Sequence, residues 1–305
     1  MSSDCDDSSN RRGSKISIVL PTYNGSRWLA DSIESVLRQT EEDWELIVVN
    51  DCSTDKTLEI AERYARQDPR IKVRSNATNK KLPASLNIGF SHAVGSYRTW
   101  TSDDNMFKPN ALSVMAGYLD AHPHIDMVSA RMDIINEDGT FKESFLERAG
   151  RKPVRLSYIC NIGAAFMYRT AVAEKIGGYN EDRFCAEDYD YWCRIALAGA
   201  IAYINDNVYL YRENSQSLTA TQKERVMEKS AIIKNEYKQQ FVERFKLTWW
   251  QREKLEYLID KTKFRKTFVL FWLRSRFCEL FCGAFFFWNR KLRRRFRTIM
   301  GAVKI

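Results

Sequence analysis

Histidine, paired cysteine and long apolar runs are all scarce in this chain. Its three histidines, His92, His122 and His124, are spaced too irregularly for a metal triad. The seven cysteines, Cys5, Cys52, Cys160, Cys185, Cys193, Cys278 and Cys282, include no C-x-x-C pair. With no signal sequence in view, reduced thiols in a cytosolic compartment are expected. Cys278 and Cys282 stand four apart and would share a helix face, which suits burial as small hydrophobes better than acylation. No stretch reaches the roughly 18–20 uninterrupted apolar residues that a spanning helix needs. The richest candidate, Phe268 to Trp288, is broken by Arg274, Arg276 and Glu279. Met1 to Ser14 is polar, rich in Ser and Asp, and reads as a disordered lead rather than a leader peptide or an anchor. There is no internal repeat.

What is present is a hydrophobic fraction of 44% in 305 residues, enough for one sizeable core plus an appendage. Charge is unevenly placed. From Thr221 to Ile305 there are 22 Lys and Arg against 8 Asp and Glu, whereas the preceding 220 residues carry 26 against 31. The net charge of +9 is therefore a property of the tail, and a basic tail points to an anionic partner. The expected organisation is a lead over 1–14, an α/β domain over 15–220, and a basic, aromatic-rich helical extension over 221–305. Aromatic residues followed by Arg290-Lys-Leu-Arg-Arg-Arg-Phe-Arg297 fit a helix lying in a membrane interface. Nucleic acid is the poorer fit because no recognition motif accompanies the charge. A helical cap completing the core is the plainer alternative.

The first half alternates strand and helix. Ile16 to Leu20 is a short apolar run suited to a buried parallel strand, ended by Pro21. A helical stripe follows over Ser26 to Gln39, with Leu29, Ile33, Val36 and Leu37 on one face. Trp44 to Val49 is a second strand, and Ser53 is placed to cap a helix running to Gln67. Ile71 to Arg74 and Tyr97 to Thr101 read as strands three and four, with Pro83 in the first turn of a helix between them. A helix over Pro109 to Ala121 comes next. Further strands are expected at Met127 to Ile135, Gly163 to Tyr168 and Val208 to Arg212, and a helix with an acidic start at Glu187 to Ala198. Such alternation predicts an open, mostly parallel sheet flanked by helices. Ligands of such sheets sit beyond the carboxyl ends of the strands. Pro21-Thr-Tyr-Asn24, Asn50-Asp51 and Asp103-Asp104 fall at those ends.

Adjacent carboxylates at a strand end suit a hard divalent cation, completed by phosphate oxygens and water. Asp103 and Asp104 project to opposite sides of an extended backbone, so one can take the metal while the other orders the loop. Alone, such a pair is more often an exposed turn; the company of two other polar strand ends reverses that reading. Asp51 could accept a base N–H or simply open the next helix, where Ser53 and Asp55 are better explained structurally. Glu187 and Asp188 open a helix, where a carboxylate can take a proton or compensate the dipole. Asp190 reads as structural. Arg151, Lys152 and Arg155 read as a solvated loop before they read as a steering patch for an anionic acceptor.

Five segments in order, Ile-Val-Leu-Pro-Thr-Tyr-Asn-Gly (18–25), Val-Val-Asn-Asp-Cys-Ser-Thr-Asp-Lys-Thr (48–57), Ser-Asp-Asp-Asn (102–105), Gly-Gly-Tyr-Asn-Glu (177–181) and Ala-Glu-Asp-Tyr-Asp-Tyr-Trp (186–192), resemble glycosyltransferase family 2, with its GT-A fold. The likeness spans about Lys15 to Thr219. It implies an inverting transferase that moves a sugar from a nucleotide diphosphate donor, a UDP-sugar favoured, to an acceptor hydroxyl in glycan or polysaccharide synthesis. The nucleotide contacts it implies are Pro21, Thr22, Tyr23, Asn24 and Asp51, with Lys81 near the base and Arg212 near the diphosphate. Asp103 would meet the ribose or the metal, and Asp104 would ligate Mn²⁺ or Mg²⁺. Asp188, or its neighbour Glu187, would be the general base. A glycan or lipid-linked acceptor and a cytoplasmic, peripheral place at the inner face of a membrane complete the expectation. The family often carries Asp where Asn50 and Thr101 stand here. A polyprenyl-phosphate sugar synthase on the same fold and a nucleotide-sugar binding module without turnover remain the alternatives.

Overall fold

A computed structural model describes residues 15–145 and 152–259 of the chain. The expected lead over 1–14, Arg151, and the tail with Cys278, Cys282 and the basic run at 290–297 lie outside the described residues. The chain divides into two compact units, 1–246 and 247–305.

The first unit opens as read. Strand β1 (Ile16–Thr22), helix α1 (Leu29–Leu37), β2 (Trp44–Asn50), α2 (Thr57–Gln67), β3 (Ile71–Ser75), α3 (Lys81–Ser91) and β4 (Tyr97–Trp100) follow one another. Then come β5 (Met106–Phe107), α4 (Ala111–Ala121), β6 (Met127–Ile135), β7 (Phe141–Phe145), a 3₁₀ turn at Pro153–Ser157, β8 (Phe166–Arg169) and α5 (Thr170–Ile176). Helix α6 (Glu187–Ala198), β9 (Ile201–Arg212), α7 (Leu218–Thr221) and α8 (Lys223–Arg244) complete it; α9 (Trp249–Ile259) belongs to the second unit.

The described strands form one sheet in the order β3-β2-β1-β4-β8-β6-β9-β5, with β7 added to β6. β3, β2, β1 and β4 are mutually parallel, β8 runs antiparallel to β4 and β6, and β9 is parallel to β6. Every residue of β1 and β2 is buried, as a strand covered on both faces requires. Alternation divides them between two cores. Ile18, Leu20, Leu46 and Val48 pack with Leu29 and Ile33 of α1 and Leu112 and Met115 of α4. Val19, Ile47 and Val49 pack with Leu86 and Phe90 of α3, Trp192 of α6 and Phe241 of α8. The expected mostly parallel sheet flanked by helices is present.

Several boundaries differ from expectation. Pro21 lies inside β1 rather than ending it. Val19 accepts from Thr101 N on the β4 side, and Pro21, two residues on, faces the same way where the β4 register has already stopped. Its missing N–H costs no ladder bond there. Ser53 does not cap α2, because its Oγ is taken by the Asn24 N–H; the helix begins at Thr57, whose N–H and hydroxyl donate to Asp55 Oδ1. β9 starts at Ile201, seven residues before the expected Val208, and register shifts opposite Arg131 absorb its polar middle. β5 and β7 carried no readable pattern: one is two residues long, and Phe141 of the other is 64% exposed. No helix among the described residues is long and apolar enough to cross a membrane.

Candidate active site

β1 carries Thr22 to the carboxyl edge of the sheet, buried beside Pro21, while the Tyr23 ring beyond it is 51% exposed. Asn24 turns the chain with φ +54°. Its Oδ1 accepts from Thr54 N at 2.8 Å and its N–H donates to Ser53 Oγ at 3.0 Å. Ser26 N donates to Asp55 Oδ2 at 3.2 Å. These bonds tie the loop after β1 to the loop after β2, so both arrive at the edge as one piece.

Asp51, at the end of β2, is buried. Its Oδ1 accepts from Asn76 Nδ2 and Lys80 N, and its Oδ2 from Lys81 N, each at 2.8 Å. One lone pair, on Oδ2, is left over. Asp51 therefore anchors the start of α3 and holds Lys81 at φ +72°, a conformation that non-glycine residues adopt only when the surroundings impose it. The Lys81 side chain is exposed beside it.

Asp103, after β4, accepts the Thr22 hydroxyl at 2.5 Å. Burial pushes its carboxyl up to about 7 against the pull of that hydroxyl, and the Asp104 charge adds to the rise. Gly25 makes this meeting possible. A Cβ there would stand 1.9 Å from Asp103 Oδ2, so only glycine lets the first loop pass the carboxylate. Asp104 is also raised by burial, with the Arg212 charge and the Asn214 amide partly offsetting it. Asn214 Nδ2 donates to Asp104 Oδ2 at 2.5 Å. Thr101, at the position where an acidic residue is common, is buried and bonded to the Tyr209 hydroxyl at 2.6 Å. It packs behind the site.

Arg212, expected beside a diphosphate, is 3% exposed. Its Nε donates to the Asp104 carbonyl at 3.0 Å, Nη1 to the Glu137 carbonyl at 2.7 Å, and Nη2 to Asp31 Oδ2 at 3.4 Å. The guanidinium fork is thus spent on shaping the Asp104 loop, and its charge reaches the site through Asp104.

Glu187 and Asp188 begin α6 after Cys185, which sits at φ +79°. Glu187 is buried, its Oε2 has no hydrogen-bond partner among the described residues, and burial followed by the Asp188 charge lifts its carboxyl to about 8. Asp188 is partly exposed; burial raises its carboxyl, and its Oδ1 accepts from Tyr189 N at 2.6 Å. Asp190 is structural, held by Arg194 Nε at 2.9 Å and the Tyr237 hydroxyl at 2.9 Å.

The charges of both acidic groups reach Tyr211. Its hydroxyl is raised by burial first, and then by the negative charges of both Asp104 and Asp188. The carboxylates after β4 and at the start of α6 thus both lie within electrostatic reach of one hydroxyl. Sequence reading missed Asn214 and Gly25 as site residues. Asn214 lies in a polar run, Glu-Asn-Ser-Gln, that offers no local signal.

Among the described residues no three His, Cys, Asp or Glu side chains are arranged to hold a metal ion. The donor set nevertheless fits a hard divalent cation that takes most of its ligands from phosphate and water. Asp103 and Asp104 are adjacent hard-oxygen donors, both raised by burial, and so short of positive charge.

Comparison with known proteins bears on the family and the fold. The family model described as Glycosyl transferase family 2 matches residues 17–177. The putative glycosyltransferase EpsE of Bacillus subtilis is 34% identical over 209 residues, 67% of this chain and 75% of that protein. The crystal structure of Staphylococcus aureus TarS 1–349 in complex with UDP-GlcNAc superposes with a TM-score of 0.58 at 22% identity, covering 76% of this chain and 71% of that one. The Pyrobaculum calidifontis mannosyltransferase PcManGT, in complex with GDP-Man and Mn²⁺, gives 0.56 at 18% identity, over 80% and 69% of the two chains. With the family model covering more than half of the sequence, the chain belongs to glycosyltransferase family 2.

Proposed function

We propose that the protein is an inverting transferase that moves the sugar of a nucleoside-diphosphate sugar, a UDP-sugar favoured, onto an acceptor hydroxyl of a glycan or lipid-linked acceptor. The observation that supports this is that Asp104, after β4, and Asp188, at the start of α6, both act on the Tyr211 hydroxyl, the pairing that a diphosphate-side carboxylate and a proton-accepting carboxylate would need. Pro21, Thr22, Tyr23 and Asn24 form the wall for the nucleoside, with the exposed Tyr23 ring open to a base. The remaining lone pair of Asp51 Oδ2 accepts a base N–H, and Lys81 lies beside it. Asp104, with Asp103, would hold Mn²⁺ or Mg²⁺. When bound, that ion offsets the charge that gathers on the departing nucleoside diphosphate.

Proton transfer falls to the α6 pair. Glu187, lifted to about 8, keeps its proton near neutrality, so the negative charge of the pair resides on the more exposed Asp188. The burial-raised carboxylate of Asp188 is poised to take the acceptor hydroxyl proton as oxygen bonds to the anomeric carbon and the diphosphate leaves from the opposite face. Direct displacement of this kind inverts the anomeric configuration. The support for Mn²⁺ use in PcManGT and for a UDP-sugar in TarS belongs to those proteins, and here it directs the choice of assay.

A panel of nucleotide sugars screened for Mn²⁺-dependent release of nucleoside diphosphate tests the reading. Asp104→Ala is expected to abolish release and transfer together. Asp188→Asn is expected to keep donor binding and lower transfer by about 10²–10⁴-fold. Near-normal turnover of Asp188→Asn would remove Asp188 from the base role.

A further inference from the structure

The side chains of β4 alternate between the two cores. Tyr97 belongs to one and Trp100 packs against the other, so Arg98 shares the Trp100 face by parity. That face is aromatic. The Arg98 guanidinium lies 5.6 Å over the Phe90 ring, Tyr168 is its register partner on β8, and its charge reaches the hydroxyls of Tyr168 and Tyr191. Arg98 Nε is buried with no hydrogen-bond partner among the described residues. A buried cationic donor left unbonded costs free energy that its apolar neighbours do not return.

The guanidinium borders a cavity of about 280 Å³, lined among others by Asn87, Phe90, Arg98, Glu174, Tyr179 and Tyr191. Its wall is aromatic, and the rings stack on one another. Tyr179 and Tyr191 stack at 4.0 Å and 11°, and Phe90 and Tyr179 lie within 13° of parallel. Asn87 is already committed, accepting from Tyr179 N and donating to Tyr179 O. The cation lining the cavity is Arg98, while exposed Glu174 lines it beyond ion-pair reach. The cavity lies away from the Asp103–Asp104 loop, although the Asp188 charge reaches the Tyr179 hydroxyl on its wall. Arg98 precedes Asp103 by five residues, roughly 16 Å of extended chain, towards the other end of β4.

We propose that this cavity binds a small organic oxyanion, a carboxylate or phosphate ester on an apolar body, with Arg98 as the anchoring cation and the Phe90, Tyr179 and Tyr191 rings as the wall. The size limits the ligand to a small molecule. Charge-assisted bonds from the Arg98 guanidinium supply the affinity, and the aromatic wall favours an apolar body.

Calorimetric titration of the full-length protein with benzoate, phenyl phosphate and inorganic phosphate tests this. The two aromatic anions are expected to bind, with benzoate and phenyl phosphate separating a carboxylate from a phosphate source, and inorganic phosphate is expected to bind more weakly than either. Arg98→Met should weaken the aromatic anions at least about tenfold while melting no lower than the wild type. Exposed Glu174→Gln, which should leave folding unaffected, is expected to tighten them severalfold by removing a like charge from the cavity. Absence of binding to the wild type, equal binding to Arg98→Met, unchanged or weaker binding to Glu174→Gln, or inorganic phosphate matching phenyl phosphate would each overturn the proposal.

Discussion

Glu187 illustrates how burial sets the state of one group. Its carboxyl keeps a proton in the folded protein up to about pH 8, whereas an unfolded glutamate releases it in the ordinary carboxylate range. Between those limits unfolding releases a proton, so the stability this carboxyl contributes is present in acid and is lost as the pH rises through about 8. Glu187→Gln cannot ionise and is expected to lack that loss. Thermal melting of the two proteins from pH 4 to 9 should show the wild type falling relative to the variant, by on the order of 1.4 kcal/mol for each unit of displacement. Parallel curves would mean that Glu187 ionises normally. None of this was visible in Ala-Glu-Asp-Tyr, where dipole compensation and proton transfer predict the same letters. Gly25 makes the same point from the other side. It closes a recognisable motif, yet its necessity comes from Asp103, 78 residues away.

At the scale of elements, α6 is fixed in place by its underside. Asp190, two residues past the proposed base, receives Arg194 from its own helix and the Tyr237 hydroxyl from α8. The docking of α8 thereby extends the first unit past the Thr219 limit of the motif resemblance, to 246. Tyr237→Phe leaves a buried carboxylate oxygen without that donor, and a loss of about 1.5–3 kcal/mol in denaturant unfolding is expected. A change under about 0.5 kcal/mol would show that α8 does not hold α6 through this bond. The amphipathic periods of α1, α2 and α4 were legible because a helical stripe is a local property. Their starts were not. α1 and α2 each begin three residues late because Ser26 N bonds across to Asp55 and Ser53 Oγ to Asn24 N, instead of opening helices.

For the whole molecule, both hydrophobic cores lie within 16–245, so a chain ended after Lys246 is expected to melt cooperatively and keep nucleotide binding. The basic residues beyond that point are proposed to hold the protein against the inner face of an anionic membrane. The shortened chain should then fail to float with anionic vesicles at low salt, while the full chain floats. Equal flotation of the two would remove the membrane role from residues 247–305.

The sequence by itself determined the strand and helix alternation, the parallel sheet, and the edge at which the acidic residues gather. Those follow from periods of two and 3.6 and from strand-end chemistry, all encoded within a dozen residues. Only the tertiary structure decided which of those residues remain open to a ligand. Arg212 was drawn inward onto the Asp104 loop, most of Asp51 was spent on α3, and Asn214 was brought to Asp104 from 110 positions away. Arg98 Nε was left without a hydrogen-bond partner among the described residues, on an aromatic face. The partners of a side chain are chosen by long-range packing, and neighbouring letters carry no record of that choice.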